Sequence, residues 1–272
     1  MDRPILKRSP LTVFANSRTP AGLYARQKWL GASGSRSWHT DFDVTVAAIM
    51  ADQLPDGSWS GSVDETARRL FGLHLTVRET CPAVDNGLDW LLDRMAREDY
   101  GRLSPAGACP GSGAVKGMPF VVSAGPTYLA GATLFLATVF GRGDQRLVRK
   151  QYEMCCRLLI RLPQPWMDAA SAHNLFRALV VHPDFSDYDA TRFYAQHLAE
   201  KQSSAGHWGE LFSFYQTFNA LAHMRAEIVD EQLEKALPML IHAQNSDGSW
   251  GGQEPEWNTF LAVHALKSRD WL

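Results

Sequence analysis

The sequence predicts an all-α protein, an α/α toroid (barrel) of about five helical hairpins with an additional N-terminal helix. Three observations predict it. The run Gln53 to Trp59, QLPDGSW, returns near the other end as Gln244 to Trp250, QNSDGSW, with a weaker copy at Gln202 to Trp208, QSSAGHW. The tryptophans Trp208 and Trp250 stand 42 residues apart, and one further step back reaches Trp166 in RLPQPW. Finally, each tryptophan is preceded by a half-apolar helical pattern and followed by a more apolar one, which is the signature of stacked helical repeats.

Taken in order, Pro20 to Leu30 reads as a helix with Thr19 as its N-cap and proline in its first turn. The segments Asp41 to Gln53, Ala83 to Ala96, Gln145 to Leu162, Asp189 to Gln202 and Glu231 to Gln244 carry apolar residues at three- and four-residue spacing with charges opposite, and are expected as outer helices. The segments VDETARRLFGLHL, AGPTYLAGATLFLATVF, DAASAHNLFRALVV, LFSFYQTFNALAHM and PEWNTFLAVHALKS carry fewer charges and are expected inside. Trp59 and Trp166 are 107 residues apart, so the spacing there holds two periods and an insertion, placed in the Gly/Pro/Ser-rich stretch Leu103 to Pro119. Residues 1–36 are read as an N-terminal arm and helix packed on the barrel, and 37–272 as a single barrel domain.

The chain has 272 residues, 45% hydrophobic and 21% charged, with a formal net charge of −2. That is enough for a sizeable core, and without a run of like charge it offers no nucleic-acid surface or polybasic membrane anchor. Cys81, Cys109, Cys155 and Cys156 form no CxxC pair, and no stretch of eighteen apolar residues occurs. A reducing, cytoplasmic setting, no integral membrane segment and a small hydrophobic partner are the expectation, with a homodimer open.

The QxxDGSW runs resemble the QW repeat of the terpenoid cyclase and protein prenyltransferase superfamily, as in squalene-hopene cyclases and the β domains of class II terpene cyclases. The resemblance covers Asp41 to Leu272 as a repeating pattern. It implies that the motif is a staple between an outer helix end and the next inner helix, and that chemistry lies where inner helices open into the barrel.

Aligned on Thr66, Thr127, Asn174, Thr217 and Thr259, the inner helices place Glu65, Pro126, His173, Gln216 and Asn258 one position earlier, and Asp64, Gly125, Ala172, Tyr215 and Trp257 two earlier. As a set these suggest a lined cavity; singly, each is also an ordinary polar helix start. Within the set, Ser62 to Ala67, SVDETA, is similar to the DVDDTA acid motif of squalene-hopene cyclases. The resemblance implies that Asp64 is a proton donor and Glu65 its partner, although Ser62 replaces the first aspartate. Such a donor must be held neutral by its surroundings. Arg69 and Arg177 follow Glu65 and His173 by one turn and suggest a grip on a diphosphate; an i,i+4 ion pair of Glu65 with Arg69 is the structural alternative. Phe214, Tyr215 and Trp257 are the candidate cation-shielding aromatics. His173 is a candidate acid/base group, as is His223.

FSFYQT, Phe212 to Thr217, resembles the DFYHT pattern that supplies a zinc-binding histidine in protein prenyltransferases, but Gln216 stands in the histidine position, so neither a metal nor another cofactor is expected. The functional expectation is a class II type isoprenoid cyclase acting on a polyprenyl substrate by proton initiation. The alternatives are a divergent binding or scaffold barrel, and a metal-independent prenyltransferase-like enzyme. The Pro105 to Pro119 loop is a candidate lid over the ring.

Overall fold

The first three α-helices begin where the sequence supplies side-chain caps. In the computed structural model, which describes residues 5–98, 115–121, 126–161, 169–210 and 212–272, the chain is helical throughout. Trp166, Cys109, Gly125 and most of the 103–119 insertion lie outside the described residues. Helix α1 (Pro20–Lys28) starts at Thr19, whose hydroxyl accepts from the Gly22 amide at 3.0 Å. Helix α2 (Arg36–Met50) starts five residues before the periodic apolar pattern, because Ser35 caps the Trp38 amide at 3.2 Å. There follow α3 (Val63–Thr76), α4 (Pro82–Arg97), α5 (Pro126–Val139), α6 (Arg146–Leu159), α7 (Ala169–Leu179), α8 (Asp189–Lys201), α9 (Phe214–Ala222), α10 (Glu227–His242) and α11 (Pro255–Ser268).

The repeated motif is a hydrogen-bonded joint, and its parts are superimposable in role. Asp56 accepts from the Ser58 amide and hydroxyl at 2.9 and 2.7 Å, and Asp247 accepts from Ser249 at the same two distances. The amide of Trp59 donates to the Thr66 hydroxyl at 3.0 Å, and that of Trp250 to Thr259 at 3.0 Å. The aligned hydroxyls of Thr66 and Thr259 therefore each receive their own preceding turn. The indoles return to the outer helix, Trp59 to the Ala51 carbonyl and Trp250 to that of Leu240, at 2.9 and 2.8 Å. Carbonyls at a helix C-terminus lack intrahelical partners, and the indole N–H supplies one.

The glutamine joins each unit to the next. Gln53 donates to the Ala83 carbonyl at the start of α4, and Gln202 to the Gln232 carbonyl of α10, at 2.8 and 2.9 Å. After the last motif no further outer helix follows, and Gln244 instead exchanges bonds with the backbone of Arg8, donating to its carbonyl at 2.9 Å and accepting from its amide at 3.1 Å. The N-terminal segment thus takes the place of a next unit. The motif glycines allow this approach: Gly57 and Gly248 both have φ of 92°, and a Cβ there would fall 2.3 Å from the Asn86 carbonyl oxygen and 2.8 Å from that of Ser9.

The odd-numbered helices touch in cyclic order, α1 to α3, α5, α7, α9 and α11, and α11 returns to α1. This is the contact order that an α/α toroid requires. Helix α1 lies between α3 and α11 rather than outside the cycle. The even-numbered helices pack against their odd-numbered neighbours from outside, α2 and α4 on α3, α6 on α5 and α7, and α10 on α9. Helix α5 is buried along its described length, from Thr127 to Ala137, as an inner helix with no charge on it must be.

Candidate functional site

At the N-terminal ends of α3, α9 and α11, Glu65, Arg69, Gln216 and Asn258 are engaged by the protein itself. Asp64 is exposed on the first turn of α3. Glu65 is ion-paired to Arg68 and, at 2.6 Å, to Arg69. Arg69 also donates to the carbonyls of Ala48 and Ile49 at 2.5 and 3.0 Å, so it ties α3 to the end of α2. The i,i+4 pair weighed in the sequence is present, and the guanidinium is occupied by it.

The segment Val115 to Val121 explains what fills that end. Met118 and Phe120 are fully buried, and the Phe120 ring meets Phe135 and Tyr128 edge to face. Gln216 donates to the carbonyls of Met118 and Phe120 at 3.3 and 3.0 Å. Asn174 accepts from the Val121 amide at 2.9 Å and donates to its carbonyl at 2.8 Å. Two polar residues of the aligned ring thus hold a backbone segment rather than a ligand. The described part of the candidate lid is an inserted plug. Asn258 is spent locally, donating to the Gln253 carbonyl at 2.8 Å, and Phe214 packs on Trp208 and Phe218. Tyr215 is half-buried, edge to face with Phe214, and burial raises its hydroxyl pKa.

A cavity of about 510 Å³ lies among the inner helices, lined by the later turns of α3, α5 and α7, by α9, and by α11 from Trp257 on its first turn to His264. Every odd-numbered helix contributes to it. Tyr24, Phe71, Phe135, Trp257 and Phe260 form its aromatic wall. Trp257 stacks on Phe260 at 5.3 Å and meets Phe71 edge to face at 5.8 Å. The polar side chains are Arg78, Arg177, Ser186, Asn219 and four histidines, His74, His182, His223 and His264; among the described residues no aspartate or glutamate lines it. Of the residues singled out in the sequence, Arg177, Trp257 and His223 line this space. Asp64, Glu65, Arg69, His173, Phe214, Tyr215, Gln216 and Asn258 do not.

Burial controls the charge state here. It lowers His74 and His264 from the ordinary 6.5 to about 4, with nearby cationic groups adding to the effect, and takes His223 well below 6.5. All three are neutral at pH 7. His173, one turn before Arg177, is fully enclosed with no hydrogen-bond partner for either ring nitrogen, and burial takes it to about 3. Burial lowers Arg177 only to about 9, so it remains a cation. Its guanidinium lies 5.8 Å from the Phe135 ring centroid. Among the described residues no group of three or more His, Cys, Asp or Glu side chains is disposed to hold a metal ion.

Sequence reasoning passed over Tyr24, Phe71, His74 and His264 because they sit on helices whose apolar period reads as core, and Arg78 because it lies just beyond the end of α3. One signal was available. Four of the nine histidines, His74, His182, His223 and His264, fall in the closing turns of otherwise apolar inner helices or just beyond. A polar group recurring at the same end of four inner helices marks that end.

Comparison with known proteins shows the fold alone. No family model matches the chain, and no curated protein does. Among solved structures, a crystal structure of a protein from Actinoplanes is similar with a TM-score of 0.55 at 17% identity, over 99% of this chain and 92% of that one. No helix among the described residues is long and apolar enough to cross a membrane.

Proposed function

We propose that the protein is an isoprenoid cyclase of class II type whose reaction space is the cavity among the inner helices. The observation that carries this reading is the aromatic wall of Tyr24, Phe71, Phe135, Trp257 and Phe260 around about 510 Å³. A space of that size suits a small ligand, and ring faces attract the positive charge that develops along a cyclising chain. The proton that starts such a cyclisation is returned when the final cation loses one, so the reaction is an isomerisation. A neutral His74 or His264 is suited to receive it. In the protonated form either would be as strong an acid as a carboxyl group, and its small population at neutral pH implies slow initiation.

A second reading is a binding protein for the same class of ligand. It is favoured by the lack of any carboxyl group among the lining residues. The test is incubation of the purified protein with farnesyl, geranylgeranyl and squalene-type substrates and product analysis by gas chromatography and mass spectrometry. Cyclic products are expected, and Asp64→Asn is expected to form them at a rate within about threefold of the parent, as for most changes at an exposed site. Loss of product in Asp64→Asn would return initiation to the first turn of α3. Binding without turnover of any substrate would leave the second reading.

A further inference from the structure

We infer that the ligand of this cavity carries a compact oxyanion, a carboxylate or a phosphate monoester, which is received by Arg177. The inference rests on the reading of the cavity as an isoprenoid site and adds a head group to it. Arg177 is 4% exposed, and its Nε and Nη1 have no hydrogen-bond partner among the described residues. A buried guanidinium without an anion is costly, since the charge has left water and nothing replaces the hydration.

Two other buried or half-buried cations are compensated. Arg26 is 4% exposed and paired with Asp41 at 2.8 Å, and the half-buried Arg142 holds Asp85 and Asp89, each at 2.5 Å. Arg177 has no such pair, and the group nearest in kind is the Phe135 ring, which is a weak substitute. Its neighbours are the neutral His173 on the same helix and the neutral His74, His223 and His264 across the cavity.

The arrangement around it is one of donors. His74 Nδ1, His223 Nε2 and the Trp257 indole N–H are buried and unpartnered, and each histidine can present an N–H to an acceptor by choice of tautomer. Arg78 stands on the same wall, half-buried, with its guanidinium over the Tyr24 ring at 5.0 Å. Two guanidiniums and several donors with no carboxylate form an environment complementary to an anion. The apolar wall then takes the ligand's chain. The polarity is opposite to that expected from Asp64, Glu65 and Arg69, because the head group lies toward the C-terminal ends of the inner helices.

The inference is tested by titrating the purified protein with farnesol, farnesoic acid and farnesyl monophosphate, read by calorimetry at pH 7. At least one of the two anions is expected to bind about tenfold or more tightly than farnesol, the effect of a charge-assisted hydrogen bond in a buried site. Which anion is preferred identifies the source of the oxyanion. In Arg177→Met the preference should shrink to about threefold or less while farnesol still binds, and in Arg177→Lys a part should return. The ligand-free Arg177→Met protein should melt no lower than the parent, because the unpaired charge is gone. Equal binding of farnesol and both anions by the parent would overturn the inference while leaving the cavity reading intact. A preference surviving in Arg177→Met would overturn the role of Arg177. No binding of any of the three would remove the isoprenoid reading and the inference with it.

Discussion

Replacing Trp250 with alanine is expected to destabilise the protein by about 3–5 kcal/mol, the range for deleting a buried large aromatic side chain. The side chain is 0% exposed, so nothing of its transfer free energy is already lost to solvent. Its indole also satisfies the Leu240 carbonyl at the end of α10, and deletion leaves that carbonyl unpaired in a closed site. The effect is large because the site is a joint. The same turn binds α11 through Thr259 and the N-terminal segment through Gln244, so the cavity cannot collapse without disturbing three parts of the chain. With total stabilities of about 5–15 kcal/mol, this is a substantial share. Urea denaturation measures it, with Trp90→Ala as a comparison expected to lose less, since Trp90 is only half-buried, with Arg94 over its ring at 5.2 Å and a side-chain hydrogen bond to Asp56. A loss below about 1 kcal/mol at Trp250 would mean that the motif is not a structural staple.

The second large effect is acid sensitivity. His74, His223, His264 and His173 all bind protons less readily in the folded protein than the ordinary value of 6.5, down to about 4 for His74 and His264 and about 3 for His173. As pH falls from 6.5 toward 4 the unfolded chain therefore takes up protons at His74, His264 and His173 that the folded chain does not, and His223 acts in the same direction. The unfolded state binds more protons in that window, so the free energy of unfolding rises with pH and falls on acidification. Each such histidine contributes a slope of up to about 1.4 kcal/mol per pH unit. Four together are comparable with the whole stability of a domain within one or two units below 6.5. The melting temperature should be level from pH 8 to 7, then fall steeply between pH 6.5 and 5. His173→Leu, which removes one of the four without touching the cavity wall, should reduce the slope. A melting temperature unchanged from pH 7 to 5 would contradict the burial of these rings in neutral form.

What was legible in the sequence follows from the range over which each signal acts. The Asp-Gly-Ser-Trp joint is local: aspartate, serine, tryptophan and the receiving threonine lie within ten residues or so, and its chemistry is written in consecutive positions. The Thr19 cap and the ion pair of Glu65 with Arg69 are equally local, and both are present. The Ser35 cap was missed because the helix it starts opens on polar residues, ahead of the apolar period. The orientation of the cavity was not legible. It depends on Phe120 entering the core between α5, α7 and α9 and on Gln216 and Asn174 clasping that segment, contacts that span 96 and 53 residues. Alignment of the inner helices grouped Gln216, Asn258 and Trp257 together, but of these only Trp257 lines the cavity, because helical periodicity cannot say which residues face a filled space. Arg177 illustrates the same limit. Its position one turn after His173 was read as a grip on a ligand, and the structure places it on the wall of the cavity while His173 is enclosed behind it.

The proposed ligand site is the space enclosed by the inner helices around Arg177 and Trp257. The most direct measurement is the electron density of a farnesyl ligand in crystals of the protein soaked or grown with it. The account predicts the chain among Phe71, Phe135, Trp257 and Phe260, with its polar end toward Arg177. Density at the opposite end of α3, beside Asp64 and Glu65, with this cavity left empty, would contradict it.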